Sequence, residues 1–136
     1  MMPSDGAGRP LVDESVLDRL RGELGEAEGY CRAFVGNFID CLPHRIARLR
    51  RTLTIGDLDG SVDAVLSLKT SSQMVGAEQL AGLAMALEDE IRSEAYAADV
   101  TVVLPRLAAS FLPPINECSR QTMHRLQAQC SAGASR

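Results

Sequence analysis

The sequence predicts an all-α fold: an antiparallel up-down-up-down four-helix bundle with a short N-terminal helix packed across one end. Three observations carry this. Apolar residues recur at steps of three and four through most of the chain, the repeat of one helix face. Hydrophobic residues make up 46%, with three Phe, two Tyr and no Trp, so Leu and Ala must build aliphatic helix seams. The links between periodic segments are short, and short links force antiparallel neighbours. A chain of 136 residues is one domain, long enough for a proper core.

In chain order, Met1 to Pro10 is rich in Gly, Pro and Ser and reads as a disordered tail. The domain follows over 11–130. Asp13 is a good N-cap, with Glu14 in the first turn. Val16, Leu17, Leu20 and Leu24 then give a short helix that stops near Gly25. Glu26 to Leu53 predicts a long helix on the stripe Val35, Ile39, Leu42, Ile46, Leu49 and Leu53, widened by Tyr30, Phe34 and Phe38. Pro43 should bend it without ending it, because the stripe stays in phase from Leu42 to Ile46. Gly56-Asp57 closes this helix and opens the next.

Two further amphipathic patterns meet at Gly76, either as a tight link or as a kink in one longer run. The first carries Leu58, Val62, Val65, Leu68, Ser72 and Val75 on its core face. The second carries Leu80, Leu83, Ala84, Leu87 and Ile91. Asp99 to Val103 is β-branched but has no second strand to pair with, so it reads as a helix start capped by Asp99. Leu104, Ala108, Phe111, Ile115, Cys118, Thr122 and Leu126 continue that helix, with a bend expected at Pro113-Pro114. Residues 131–136 are expected to fray.

Charge and composition exclude several function classes. The net charge is −4, and the only dense basic run, Arg48, Arg50 and Arg51, reads as a solvated helix face. Neither a nucleic acid nor a membrane is expected as a partner. No signal peptide and no apolar run of spanning length appears, so a cytoplasmic protein is expected. The cysteines at 31, 41, 118 and 130 lack C-x-x-C spacing and read as reduced, metal-free apolar residues. No cofactor is expected.

Catalytic candidates are few. His44 and His124 have no Ser or Cys at a recognisable spacing, and each reads as a surface or boundary histidine. Glu88-Asp89-Glu90 reads as a charged helix face and not as a metal site. No phosphate-binding glycine loop is present. The outward face of the third helix is more informative. It carries Asp59, Asp63, Ser67, Thr70 and Gln73, with Leu66 as an exposed leucine among them. Lys69, the only lysine of the chain, stands three residues after Leu66.

The run Leu66-Ser67-Leu68-Lys69-Thr70-Ser71-Ser72-Gln73-Met74-Val75-Gly76-Ala77, with Leu80 and Leu87-Glu88 beyond it, resembles the histidine-containing phosphotransfer (Hpt) family of two-component phosphorelays. That family's signature reads approximately H-x-L-K-G-S-S-x-x-x-G-A, then L and L-E. Upstream, Leu17 to Leu24, Phe38, Pro43, Leu49 and Gly56-Asp57 sit where the family has its N-terminal helix, its F-x-x-x-x-P pattern and its G-D turn.

The departure is at the centre. The family's phosphoaccepting histidine falls on Leu66, and its small glycine one turn later falls on Thr70. Leucine has no nitrogen to take a phosphoryl group. The resemblance therefore implies a binding protein, not an enzyme: a pseudo-Hpt module that docks a response-regulator receiver domain or a histidine kinase through Leu66, Ser67, Lys69, Thr70, Ser72, Gln73 and Gly76. Lys69 would face the receiver's acidic site, and Gly76 would let adjacent helices approach. Two alternatives stay open. One is active phosphotransfer through His44, which requires His44 to share a face with Lys69. The other is a homodimeric helical module with Leu66 at the interface, so the protein is a monomer or a homodimer.

Overall fold

The computed structural model describes residues 8–24, 29–95 and 98–134. These form five helices, and no strand occurs among them: α1 Glu14–Leu24, α2 Tyr30–Thr54, α3 Leu58–Met74, α4 Glu78–Glu94 and α5 Val100–Ala134. The expected start of α2 at Glu26 and most of the expected tail, Met1 to Ala7, lie outside the described residues. Within Gly8–Pro10, the Arg9 carbonyl accepts a hydrogen bond from Gln79 Nε2 at 2.8 Å.

The boundaries have local causes. Asp13 Oδ1 accepts from the Ser15 backbone at 3.0 Å, Asp57 Oδ1 from Gly60 at 3.0 Å and Asp99 Oδ1 from Thr101 at 2.9 Å. Each carboxylate satisfies an amide that the first helical turn leaves free. The β-branched run after Asp99 is thus the first turn of α5. Helices α2 and α3 end alike. Gly56 donates to Leu53 and Asp57 to Thr52; Gly76 donates to Gln73 and Ala77 to Ser72. Both glycines take left-handed φ, 75° and 76°, which is the Schellman stop. Gly76 is therefore a tight link.

Among the four long helices, α2 packs on α3 and α5, and α4 packs on α3 and α5. Val35, Leu42, Leu49 and Leu53 of α2 meet Val65, Leu68, Leu80, Leu87, Ile91, Leu104, Ile115 and Leu126 in one buried core. The α3 stripe is rotated from the sequence expectation. Ser61 and Ala64 are buried, whereas Leu58 and Val62 are only partly covered. Small residues take the crowded inner positions, and the two larger ones fall at the edge toward α4.

Prolines 43, 105, 113 and 114 lie inside helices that continue through them. Pro113 and Pro114 remove the donors for the carbonyls of Ala109 and Ser110, and both of those residues are exposed, so water can satisfy the carbonyls.

Helix lengths differ. At 1.5 Å per residue, α3 and α4 (17 residues each) reach about 26 Å, α2 (25) about 37 Å and α5 (35) about 52 Å. The overrun of α2 and α5 is occupied by α1. Leu17 is buried, its carbonyl lies 4.0 Å from Cys31 Sγ, and Gln129 of α5 donates to Glu14. Cys31 and Cys118 are buried and Cys41 is half-buried; Cys130 is a position whose side chain lies outside the described residues.

Candidate functional site

The outward side of α3 is built by helical periodicity. Asp59, Asp63, Thr70 and Gln73 are exposed, while Ser61, Ala64, Val65, Leu68 and Ser72 turn inward. Leu66 lies between the two sets. It is half-buried, not exposed as the sequence suggested. It lines a hollow of about 320 Å³ with Leu58, Val62, Ile91 and Ala95, rimmed by Asp59, Asp63 and Arg92. The end of α4 comes alongside and covers one flank of the leucine.

Lys69 is also directed at α4. Its Nζ lies 2.8 Å from Glu88 Oε1, and Glu88 Oε2 takes Arg92 Nε at 3.0 Å. The Lys69 and Glu88 side chains are only 24% and 12% exposed. Lys69 and Arg92 thus share the one carboxylate of Glu88, and Asp59 and Asp63 stand on the rim beside them. Glu88, read from sequence as part of a solvated charged face, is instead a pin between α3 and α4.

That pin predicts a pH dependence. The hydrogen bond from Lys69 holds the Glu88 carboxyl below its ordinary value of 4.5, assisted by Arg92 and opposed by burial. A carboxyl lowered by folding stabilises the fold above its unfolded pKa and ceases to do so as pH falls through the folded one. Glu88→Gln is expected to cost about 1–2 kcal/mol at neutral pH, between the values for exposed and fully buried pairs. In urea unfolding, the gap between wild type and variant should shrink as pH drops below 4.5. A gap that stays constant with pH would refute the pin.

Two expected contact residues do not reach the surface. Ser72 is fully buried and Gly76 is buried. Ser72 belongs to the core behind the face. Gly76 holds α1 at close range: its carbonyl accepts from the Asp13 amide at 2.7 Å, and a Cβ there would meet the Asp13 carbonyl oxygen at 2.7 Å and Val16 Cβ at 2.9 Å. The helix it admits is thus α1. Leu66, Ser67, Lys69, Thr70 and Gln73 remain together on or beside the outward face.

Ser67 looks the other way from Lys69, toward α2. Arg45 Nε donates to Ser67 Oγ at 3.4 Å, and Arg48 pairs with Asp63 at 2.6 Å. His44 and Cys41 line this second hollow. His44 therefore lies on the α2 flank of α3 and Lys69 on the α4 flank. The shared face that phosphotransfer through His44 requires is not formed. His124 is exposed on α5. Sequence reasoning missed Glu88, Arg92, Arg45 and Ile91 as parts of this region. Each comes from a neighbouring helix, and the i, i+3 spacing of one element carries no signal for it.

Among the described residues no cluster of His, Cys, Asp or Glu could hold a metal ion, and no helix is long and apolar enough to cross a membrane. Comparison with curated proteins and with solved structures finds no significant match. The sequence model of the Hpt domain matches residues 33–129, from the first turn of α2 through most of α5. That is more than two thirds of the chain and takes in the whole outward face of α3, so the protein belongs to the Hpt domain family, the module of two-component phosphorelays that interacts with receiver domains or kinases.

Proposed function

We propose that this Hpt domain is a docking module that binds a response-regulator receiver domain or a histidine kinase without accepting a phosphoryl group. It acts as a competitor or scaffold and not as an enzyme or phosphate carrier, and it needs no cofactor. The observation that carries the reading is a leucine, Leu66, on the outward side of α3 at the position that the resemblance of the Leu66–Ala77 run to the Hpt signature assigns to the acceptor, with no histidine elsewhere on α3 or α4. An aliphatic side chain offers no nitrogen for in-line attack on an aspartyl phosphate. The half-buried leucine and its hollow offer an apolar anchor, and Lys69 with Arg92 offers positive charge toward an acidic pocket. The ring of four helices is read with it as an up-down-up-down antiparallel bundle, α1 lying across the end at Gly76.

The test pairs two assays on one receiver: transfer of labelled phosphate and a binding titration. Wild type is expected to bind and to take no label. Lys69→Gln should weaken binding. Binding to no receiver, together with a dimer mass in solution that Leu66→Asp splits, would replace this reading with self-association.

A further inference from the structure

The hollow between α2 and α3 holds a cation that the protein leaves unsatisfied. Arg45 is half-buried among the core positions Leu42, Ile46 and Leu49. A guanidinium carries five N–H donors. Among the described residues, Arg45 meets one acceptor, Ser67 Oγ, at the long distance of 3.4 Å. Its NH1 nitrogen is buried and has no partner, and no carboxylate pairs with it. Every other half-buried cation of this region is matched: Lys69 by Glu88 and Arg48 by Asp63. An unmet charged donor in a low-dielectric setting is costly and favours any acceptor that can reach it.

The surroundings suit an anion. The hollow measures about 290 Å³ and is lined by Cys41, His44, Arg45, Arg48, Ala64 and Ser67. No carboxylate lines it. Asp63 offsets Arg48, so Arg45 supplies one net positive charge. The Ser67 hydroxyl and the guanidinium fork provide directed donors of the kind that grip tetrahedral oxyanions.

We propose that the α2–α3 hollow is a binding site for a phosphate-type oxyanion. On entry, the Arg45 head group gives up its weak contact to Ser67 and turns into the hollow, where two of its nitrogens reach two oxygens of the ligand. The anion is either free phosphate or a phosphoryl group presented by a docked partner whose footprint extends from Leu66 across Ser67 to the α2 flank of α3. The second source rests on the docking function proposed above and makes the module a reader of its partner's phosphorylation rather than an acceptor of it.

The site is tested first without a partner. Inorganic phosphate is titrated at constant ionic strength against chloride, following the Arg45 Nε–H, His44 and Ser67 NMR signals. A saturable shift confined to these residues is expected. Arg45→Gln should weaken it roughly tenfold or more, which corresponds to about 1.4 kcal/mol. Ser67→Asp supplies the missing carboxylate from within and should abolish phosphate binding while stabilising the fold. Arg120→Gln, on α5, should leave the affinity unchanged. Non-saturating shifts, or equal affinity in wild type and both hollow variants, would overturn the site. A second arm compares binding of a receiver with and without beryllium fluoride as its phosphoryl mimic. Tighter binding with the mimic, lost in Arg45→Gln, assigns the anion to the partner; equal binding assigns it to free phosphate. A receiver that does not bind at all removes the docking function and leaves the phosphate result standing.

Discussion

Labelled phosphate is expected to pass from a phosphorylated receiver domain to the Leu66→His, Thr70→Gly double variant, and not to the wild-type chain. Transfer needs an imidazole nitrogen in line with the aspartyl phosphate, with the reacting atoms about 3–3.5 Å apart. Leu66→His supplies the nitrogen but leaves Thr70 one turn along the same face, and that residue is exposed and β-branched. The single variant should therefore gain little. Removing the Thr70 side chain clears the ring and the approaching partner, and the double variant should exceed the single one by roughly tenfold or more, about 1.4 kcal/mol in barrier. The cost to the fold is small: under about 1 kcal/mol of helix propensity at position 70, and about 1 kcal/mol for an apolar side chain only half removed from water. Acid-labile label on the wild-type chain would overturn the account and direct attention to His44 and His124. A double variant that binds the receiver yet takes no label would mean that Leu66 does not occupy the acceptor position.

The second large effect concerns Gly76. Gly76→Ala should destabilise the protein by about 2–4 kcal/mol, since it combines left-handed strain with loss of a backbone hydrogen bond and a steric clash. The glycine has φ +76°, and the added methyl would fall 2.7 Å from the Asp13 carbonyl oxygen. That atom is backbone and cannot rotate away, so the N-terminal segment must move and the Asp13–Gly76 hydrogen bond of 2.7 Å is lost. A drop in Tm on the order of 10 °C is expected. Gly22→Ala is the matched control. It lies inside α1 with nothing within 4 Å of a new Cβ, and it should stabilise by about 0.5–1 kcal/mol through helix propensity. If both variants shift stability by the same amount, the close approach at Gly76 does not hold α1 in place.

Much of the frame is legible in the sequence, because it rests on local chemistry. The phase of Leu42 and Ile46 carried α2 through Pro43, and Asp99 marked a helix start that its β-branched neighbours disguised. The rotation of α3 was not legible. Leu58 and Val62 are larger than Ser61 and Ala64, and only the closeness of α2 and α4 decides which pair goes inside. At the site, the outward set Asp59, Asp63, Thr70 and Gln73 followed from helical pitch, while Ser67, expected with them, turns toward Arg45 of α2. The burial of Leu66 did not, because Ile91 stands on another helix. Lys69 was picked out as unique, but its partner lies nineteen positions away, where no intrahelical spacing reaches.

The unequal helix lengths divide the molecule into two tiers. Four helices surround the tier that carries Leu66, while α1 and the overrunning ends of α2 and α5 make a three-helix tier beyond Gly76. Two hydrogen bonds, Asp13 to Gly76 and Gln79 to Arg9, join the N-terminal segment to the α3–α4 turn, and Val12 and Leu17 add its apolar contribution to the shared core. The three-helix tier has fewer helices to cover it, so it is expected to open at local unfolding free energies below the global value. Amide protons of α1 should exchange with solvent faster than those of Val65, Leu68 and Leu87, by a process that leaves the four-helix tier closed. A partner seated at Leu66 would slow exchange along α3 and leave α1 at its own rate, so protection along α3 would report occupancy while α1 serves as an internal clock within the same chain.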